Sequence, residues 1–283
     1  MATATLLIHC PDQSGIVHAV TGFIFSYQGN ILYLDQHVDR DVNVFFMRVE
    51  WELDSFGLPK ELISGAFKPL AEQRKMTWSL HFSTERKRVA LFVTKEGHCL
   101  YDLLSRHEAG ELAVEIPLIV ANHETLKPAA ERFGIPFVHL PVTAQNKREV
   151  EDTHLKLLED HGVDTVVLAR YMQIISPRFI ENYTNRILNI HHSFLPAFAG
   201  AKPYHQAHQR GVKLIGATSH YVTADLDQGP IIHQDVIRVS HKDEVADLIR
   251  LGKDLEKIVL SKALFLHAGH KVLVYANKTV VFE

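Results

Sequence analysis

Elements in the order βαββαβ over the first 84 residues, then strands alternating one by one with helices, predict an α/β chain in two domains. The first is a small α+β sandwich and the second is built on a mostly parallel sheet. A third observation locates the chemistry. Ile187-Leu188-Asn189-Ile190-His191 is an apolar segment that runs straight into a loop, Ser193-Phe194-Leu195-Pro196. Alternate side chains of a strand share a face, so Asn189 and His191 point one way and Leu188 and Ile190 the other. In parallel sheets the carboxyl ends of strands are where ligands bind. A carboxamide and an imidazole therefore stand together where a buried strand becomes a loop.

In chain order, residues 3–9 read as a strand. Residues 11–15 (Pro-Asp-Gln-Ser-Gly) turn into a helix, with Asp12 or Ser14 as N-cap. Ile16, Val17, Val20, Phe23, Ile24 and Tyr27 recur at helical spacing, and Gly29-Asn30 ends that helix. Residues 31–38 and 42–53 form a hairpin about Asp39-Arg40-Asp41; 59–75 is an amphipathic helix and 77–83 another strand. Glu85-Arg86-Lys87-Arg88 reads as a solvated linker, placing the domains at 1–84 and 85–283. Beyond it, strands are expected at 89–94, 116–121, 137–140, 163–169, 187–191 and 214–222. Helices are expected from 99 to 106 and near 126–132, 148–161 and 177–183, with a long one at 243–267 and extended structure at 271–282.

A chain of 283 residues has room for both domains. Its net charge of -3 supplies no global field to gather nucleic acid or an anionic membrane. Cys10 and Cys99 lie far apart and make no disulfide framework, which fits a reducing cytoplasm. The opening MATATLLIHCPDQ has no basic segment followed by an apolar run, so no signal peptide is expected. No apolar run has the length of a bilayer span. The 19 histidines, dense between His191 and His233, force a choice between metal and acid–base chemistry.

The metal reading takes His191, His192, His205, His208 and His220 as zinc ligands. Against it, His191 and His192 point to opposite faces of a strand, and neither H-E-x-x-H nor C-x-x-C spacing occurs. The acid–base reading takes Asn189 and His191 with a carboxylate from the turn Thr223-Ala224-Asp225-Leu226-Asp227-Gln228-Gly229-Pro230. An amide donor, a histidine and an aspartate suffice for metal-free chemistry on a carbonyl.

The first 84 residues resemble an ACT domain, a ferredoxin-like amino-acid-sensing module, through the order of elements and the Asp12-x-x-Gly15 turn. That resemblance implies an effector site at Asp12 and Gly15, with glycine and methionine the first amino acids to test, and pairing of strand edges in a homo-oligomer. The plain alternative is that Asp12 caps a helix and Gly15 permits close packing.

Asn189-Ile190-His191-His192-Ser193-Phe194-Leu195-Pro196, Gly216-x-Thr218-x-His220 and Asp227-x-Gly229-x-Ile231 resemble, in order and spacing, the signatures of the formyltransferases that use 10-formyltetrahydrofolate. The resemblance implies a formyltransferase-type, Rossmann-like domain with Asn189, His191 and Asp227 as catalytic trio. It also places the pterin of the folate against Met172, Gln173 and Ile174 and the stretch Val222, Thr223, Ala224 and Asp225. Members that formylate a phosphorylated acceptor carry a Gly-Ser-Asn element after the first strand, where backbone N–H groups hold the phosphate. Here that stretch is Thr94-Lys95-Glu96-Gly97-His98-Cys99-Leu100, and Glu96 opposes a phosphate.

Residues 95–104, 168–173 and 200–207 resemble instead the branch of the family that joins an ACT-like domain to this fold and passes the formyl group to water. The expected reaction is hydrolysis of 10-formyltetrahydrofolate to tetrahydrofolate and formate, supplying formate for purine synthesis and balancing the one-carbon pool. The folate is substrate, and neither metal nor organic cofactor is called for. Asn189 and a protonated His191 would stabilise the oxyanion while Asp227 orients a water; whether His191 or Asp227 is the base stays open. Two other classes stay open with it: transfer to an unphosphorylated acceptor, and a non-catalytic folate or amino-acid sensor.

Overall fold

The computed structural model describes residues 1–197 and 203–283. The chain divides into two compact units. The first holds Met1–Arg86 with two short returns, His270–Leu273 and Val280–Glu283; the second holds Lys87–Gly269 and Val274–Thr279.

The first unit runs β1 (Thr3–Pro11), α1 (Ile16–Ser26), β2 (Ile31–Asp39), β3 (Val44–Glu52), α2 (Lys60–Gln73) and β4 (Thr77–Phe82). Its antiparallel sheet has the order β2-β3-β1-β4. Ala4, Leu6 and Ile8 of β1 and Phe45, Met47, Val49 and Trp51 of β3 face one core with Ile16, Val20 and Ile24 of α1 and Ile63, Phe67 and Ala71 of α2. Both helices therefore lie on one face, as the period of two in the strands and of 3.6 in the helices requires. Neither Asp12 nor Ser14 caps α1. Gly15 takes the N-cap position in the left-handed region (φ 81°), with no side-chain hydrogen bond to the helix start.

The returns correct the expectation that all of 85–283 belongs to the second domain. On the sheet face away from the helices, Arg48 is buried, pairs with Glu50 at 2.8 Å, and donates from Nε to the carbonyl of His270 at 3.0 Å. His81 stacks on His270 with ring centroids 3.6 Å apart, and Tyr33 donates to the carbonyl of Glu283. A buried arginine needs such acceptors, and the end of the chain supplies them.

The second unit runs β5 (Lys87–Val93), α3 (His98–Glu108), β6 (Val114–Ala121), α4 (Lys127–Arg132), β7 (Phe137–His139), α5 (Lys147–Asp160), β8 (Thr165–Leu168), α6 (Pro177–Asn182) and β9 (Ile187–His191). Then come α7 (Pro203–Arg210), β10 (Leu214–Tyr221), β11 (Ile231–Arg238), α8 (Val245–Ala268) and a terminal pair, β12 (Val272–Tyr275) and β13 (Lys278–Val281). The sheet order is β11-β10-β9-β8-β5-β6-β7. From β9 to β7 every pairing is parallel, whereas β10 runs antiparallel to both β9 and β11.

Ala90, Phe92, Val166, Leu168 and Ile187 face a core that also contains Leu158 of α5 and Phe179 of α6. The neighbouring Thr165 turns the other way and shares a 3.0 Å hydrogen bond with His267 of α8, so α8 covers the opposite face. With both faces covered, β5, β8 and β9 read as nearly continuous apolar runs. Among the described residues no helix is long and apolar enough to cross a membrane.

Candidate active site

Asn189 and His191 reach the carboxyl end of β9 on one face, and the antiparallel register with β10 sets His220 opposite Asn189 and Thr218 opposite His191. Thr218 is fully buried and pins the loop that follows β9: its hydroxyl donates to the carbonyl of Ser193 at 2.8 Å and accepts the Leu195 N–H at 3.0 Å. That is the physical content of the Gly-x-Thr-x-His pattern.

Asp227 arrives from the loop between β10 and β11. Its own backbone is left-handed (φ 56°). Two residues on, Gly229 packs against the Tyr221 carbonyl so closely that a Cβ there would lie 1.7 Å from the oxygen. A side chain at position 229 would push the loop, and Asp227 with it, away from the strand ends.

Asp227 Oδ2 lies 3.2 Å from Nδ1 of His191, and Oδ1 lies 3.6 Å from Nε2 of His220. The hydrogen bond from His191 outweighs the cost of partial burial and holds the carboxyl well below the usual carboxylate range. Asp227 is thus an anion and an acceptor. Nδ1 of His220 sits 2.9 Å from the carbonyl of Tyr221 and must carry a proton, which leaves Nε2 to accept from Asn189 Nδ2 at 3.2 Å. His191 is the exception in this chain of bonds. Its Nδ1–H is taken by Asp227, while Nε2 is buried with no partner among the described residues. A buried imidazole nitrogen left open beside a cavity is a group held ready for a substrate.

The cavity measures about 1160 Å³ and lies at the carboxyl ends of β8 and β9. Asn189, His191 and Asp227 line it, as do Met172, Gln173, Ile174, Val222, Thr223 and Ala224. Met172 and Ile174 are exposed apolar side chains, which suits a wall awaiting a flat ring. The Met172 N–H donates to Thr94 Oγ1 at 3.0 Å and ties this wall to the end of β5.

Asp225, expected beside the others, does not line the cavity. It is exposed, and its carbonyl accepts from the Thr223 hydroxyl and the Gln228 N–H, which makes it a turn residue. Asp12 and Gly15 belong to the first unit and are exposed there. The Asp12 N–H donates to the Asn43 carbonyl, and Arg74 reaches the carbonyl of neighbouring Ser14 at 3.2 Å. The pattern noted at 200–207 falls partly on residues 200–202, which lie outside the described residues.

The histidines weighed as zinc ligands do not form one set. His191 and His220 share Asp227, while His208 is 4.0 Å from Glu244. Among the described residues, the group of side chains near enough to share an ion is His98, Cys99 and Glu256. Glu256 there already accepts from Tyr204 and His98 and faces the Arg170 cation at 3.5 Å.

Two features of the site escape a reading of the chain alone. His220 was visible as part of a pattern, but its role as Asn189's partner depends on strand register. Glu256 and Arg170 are far apart in sequence and meet only through the fold. Of the two, Arg170 follows β8 with a left-handed backbone (φ 63°), a conformation a non-glycine residue holds at a cost.

Comparison with known proteins places the chain in a family. Residues 87–264 match the Formyl transferase family. The chain is 55% identical over 280 residues to the formyltetrahydrofolate deformylase of Synechocystis sp., covering 99% of this chain and 98% of that protein. The solved formyltetrahydrofolate deformylase of Pseudomonas syringae pv. tomato superposes with a TM-score of 0.98 at 47% identity, over 100% of this chain and 95% of that one. A glycinamide ribonucleotide transformylase from Symbiobacterium toebii superposes with a TM-score of 0.68 at 29% identity, covering 72% of this chain and 98% of its own. The chain belongs to the Formyl transferase family and, within it, to the formyltetrahydrofolate deformylases.

Proposed function

We propose that this chain hydrolyses 10-formyltetrahydrofolate to tetrahydrofolate and formate. The observation that carries the reading is His191, whose Nδ1–H is fixed by an anionic Asp227 while Nε2 stands buried beside the cavity with no partner among the described residues. Water adds to the formyl carbon. Asn189 Nδ2 and His191 Nε2–H donate to the developing oxyanion, an effect of about 3–4 kcal/mol per good donor. Asp227 orients the imidazole and a water. The bond from the formyl carbon to N10 breaks, a proton moves to N10, and formic acid leaves as formate and a proton.

The folate lies across the strand ends. Its pterin sits between Met172, Gln173 and Ile174 on one side and Val222, Thr223 and Ala224 on the other; the lining of the cavity supports this placement. The reading requires no metal or organic cofactor. It gives the protein the task of supplying formate for purine synthesis and of balancing the one-carbon folate pool.

Two buried free cysteines support a reducing, cytoplasmic setting. The four-stranded antiparallel sheet and two helices of the first unit support an ACT-like sensor, with an amino acid such as glycine or methionine bound at Asp12 and Gly15 in a homo-oligomer. Such a ligand acts only by its different affinity for two states of the assembly, typically about 1–3 kcal/mol. The direct test is to incubate the purified chain with 10-formyltetrahydrofolate and nothing else and to assay formate. Stoichiometric formate and tetrahydrofolate support the reading; intact substrate refutes it.

A further inference from the structure

The cavity has a second polar wall. His192 leads to it: its ring lies 5.1 Å from that of His191 and 6.1 Å from that of Tyr204. Burial, with the Arg170 cation beside it, brings His192 down to about 4, so it is neutral near pH 7 and adds no positive charge. Beyond it stands Glu256 of α8, with 1% of its side chain exposed. Its Oε1 accepts the Tyr204 hydroxyl at 2.8 Å, its Oε2 accepts from His98 Nε2 at 2.8 Å, and Arg170 Nε lies 3.5 Å from Oε2. Burial works against the charge on Glu256, but His98 and Arg170 outweigh it and the group remains a carboxylate. Glu96, on the same wall, is paired with Lys253.

This wall is built, and α8 gives up stability for it. Gly252 lies one turn before Glu256 on the same helix face. A Cβ at that position would come within 2.0 Å of the Tyr204 hydroxyl. Glycine inside a helix is less favourable than alanine. Here the missing methyl is the space through which the phenol reaches the carboxylate. The strained Arg170 backbone is a second cost borne by the same cluster.

The consequence is electrostatic. The cations and carboxylates of this wall are matched to one another. A phosphate entering here would meet Glu96 and Glu256 and would have to break their pairs with Lys253 and Arg170. We propose that the wall centred on Glu256, with Tyr204, His98 and Arg170, sets acceptor specificity: it shuts a phosphorylated amine out of the cavity and leaves water as the group that takes the formyl. This inference rests on the hydrolase reading. Glu256 is a positioning residue in it, acting through its neighbours rather than on the formyl carbon.

The test uses the full chain, 10-formyltetrahydrofolate, and glycinamide ribonucleotide as competing acceptor. Two variants open the wall by different means. Glu256→Gln removes the buried charge at nearly constant shape. Gly252→Ala drives the phenol out while favouring the helix itself. Wild-type formate release is expected to ignore the ribonucleotide. In each variant that melts as a folded protein, the inhibition constant of the ribonucleotide should fall about tenfold or more, the scale of one lost discriminating interaction with a charged group. Lost stability alone would not create sensitivity to a phosphorylated amine. Wild-type release that is already inhibited, or folded variants that ignore the ribonucleotide as wild type does, would overturn the inference. Absence of formate from the wild-type chain without any amine would sink the hydrolase reading beneath it, so the two failures are distinguishable.

Discussion

Replacing Asp227 by asparagine separates charge from shape at the centre of the site. The carboxylate accepts from His191 at 3.2 Å, so the orientation and tautomer of that imidazole depend on it. An amide of the same size can turn its NH2 toward Nδ1 of His191. Nδ1 would then have to accept, and the contact that fixes the imidazole against an anion is lost. A hydrogen bond to a charged group is worth about 1.5–3 kcal/mol, and the oxyanion loses much of a donor worth about 3–4 kcal/mol. At 1.36 kcal/mol per factor of ten, the loss is about 10²–10³ in turnover. The assay is formate release under saturating 10-formyltetrahydrofolate, with a thermal melt to establish that the variant is folded. Turnover within about threefold of wild type in folded Asp227→Asn would refute the assignment of Asp227.

Three further outcomes are expected. Asn189→Ala and His191→Ala should each lower turnover by about 10²-fold or more without unfolding the chain, which steady-state kinetics and a melt check together. His154 of α5 is buried against Phe92 at 5.1 Å with neither nitrogen hydrogen-bonded among the described residues, and burial brings it from 6.5 down to about 4. The unfolded chain binds this proton below about pH 6.5 and the folded chain does not, so stability is lost as pH falls toward 4, by roughly 3 kcal/mol in all. His154→Leu should flatten the fall of melting temperature across that window, and parallel curves would contradict this. Amino-acid titration of the full chain should shift its rate, with glycine and methionine first, and Asp12→Ala should weaken the response. Cutting the chain after residue 84 would strip partners from His270–Leu273 and Val280–Glu283, so the intact protein is the one to use.

The parts of the fold that were legible in the sequence share a cause. β9 is bounded by the residues expected because a parallel strand buried on both faces is an unbroken apolar run ending at a polar loop. Asn189 and His191 were legible as neighbours because they share a strand face; Asp227 was separated from Asp225 only by the resemblance to the formyltransferase signature, and the fold brings its carboxylate to His191. β11 was not expected: Ile231-Ile232-His233-Gln234-Asp235-Val236-Ile237-Arg238 lies at the sheet edge and lacks clean alternation. The cap of α1 was misassigned because Gly15 turns left-handed where a polar side chain was expected to cap. The wall around Glu256 was illegible for a different reason. His98, Arg170, Tyr204 and Glu256 come from four separate segments, and a buried ion cluster has no local spacing to betray it.

If water takes the formyl group, oxygen from heavy-oxygen water must enter the formate. The full chain is incubated with 10-formyltetrahydrofolate in labelled water with no amine present, and the formate is analysed by mass. Addition of water to the formyl carbon predicts one heavy oxygen in each formate released, with tetrahydrofolate in equal amount. Formate without label, or tetrahydrofolate formed with the formyl group retained on the protein, would contradict it.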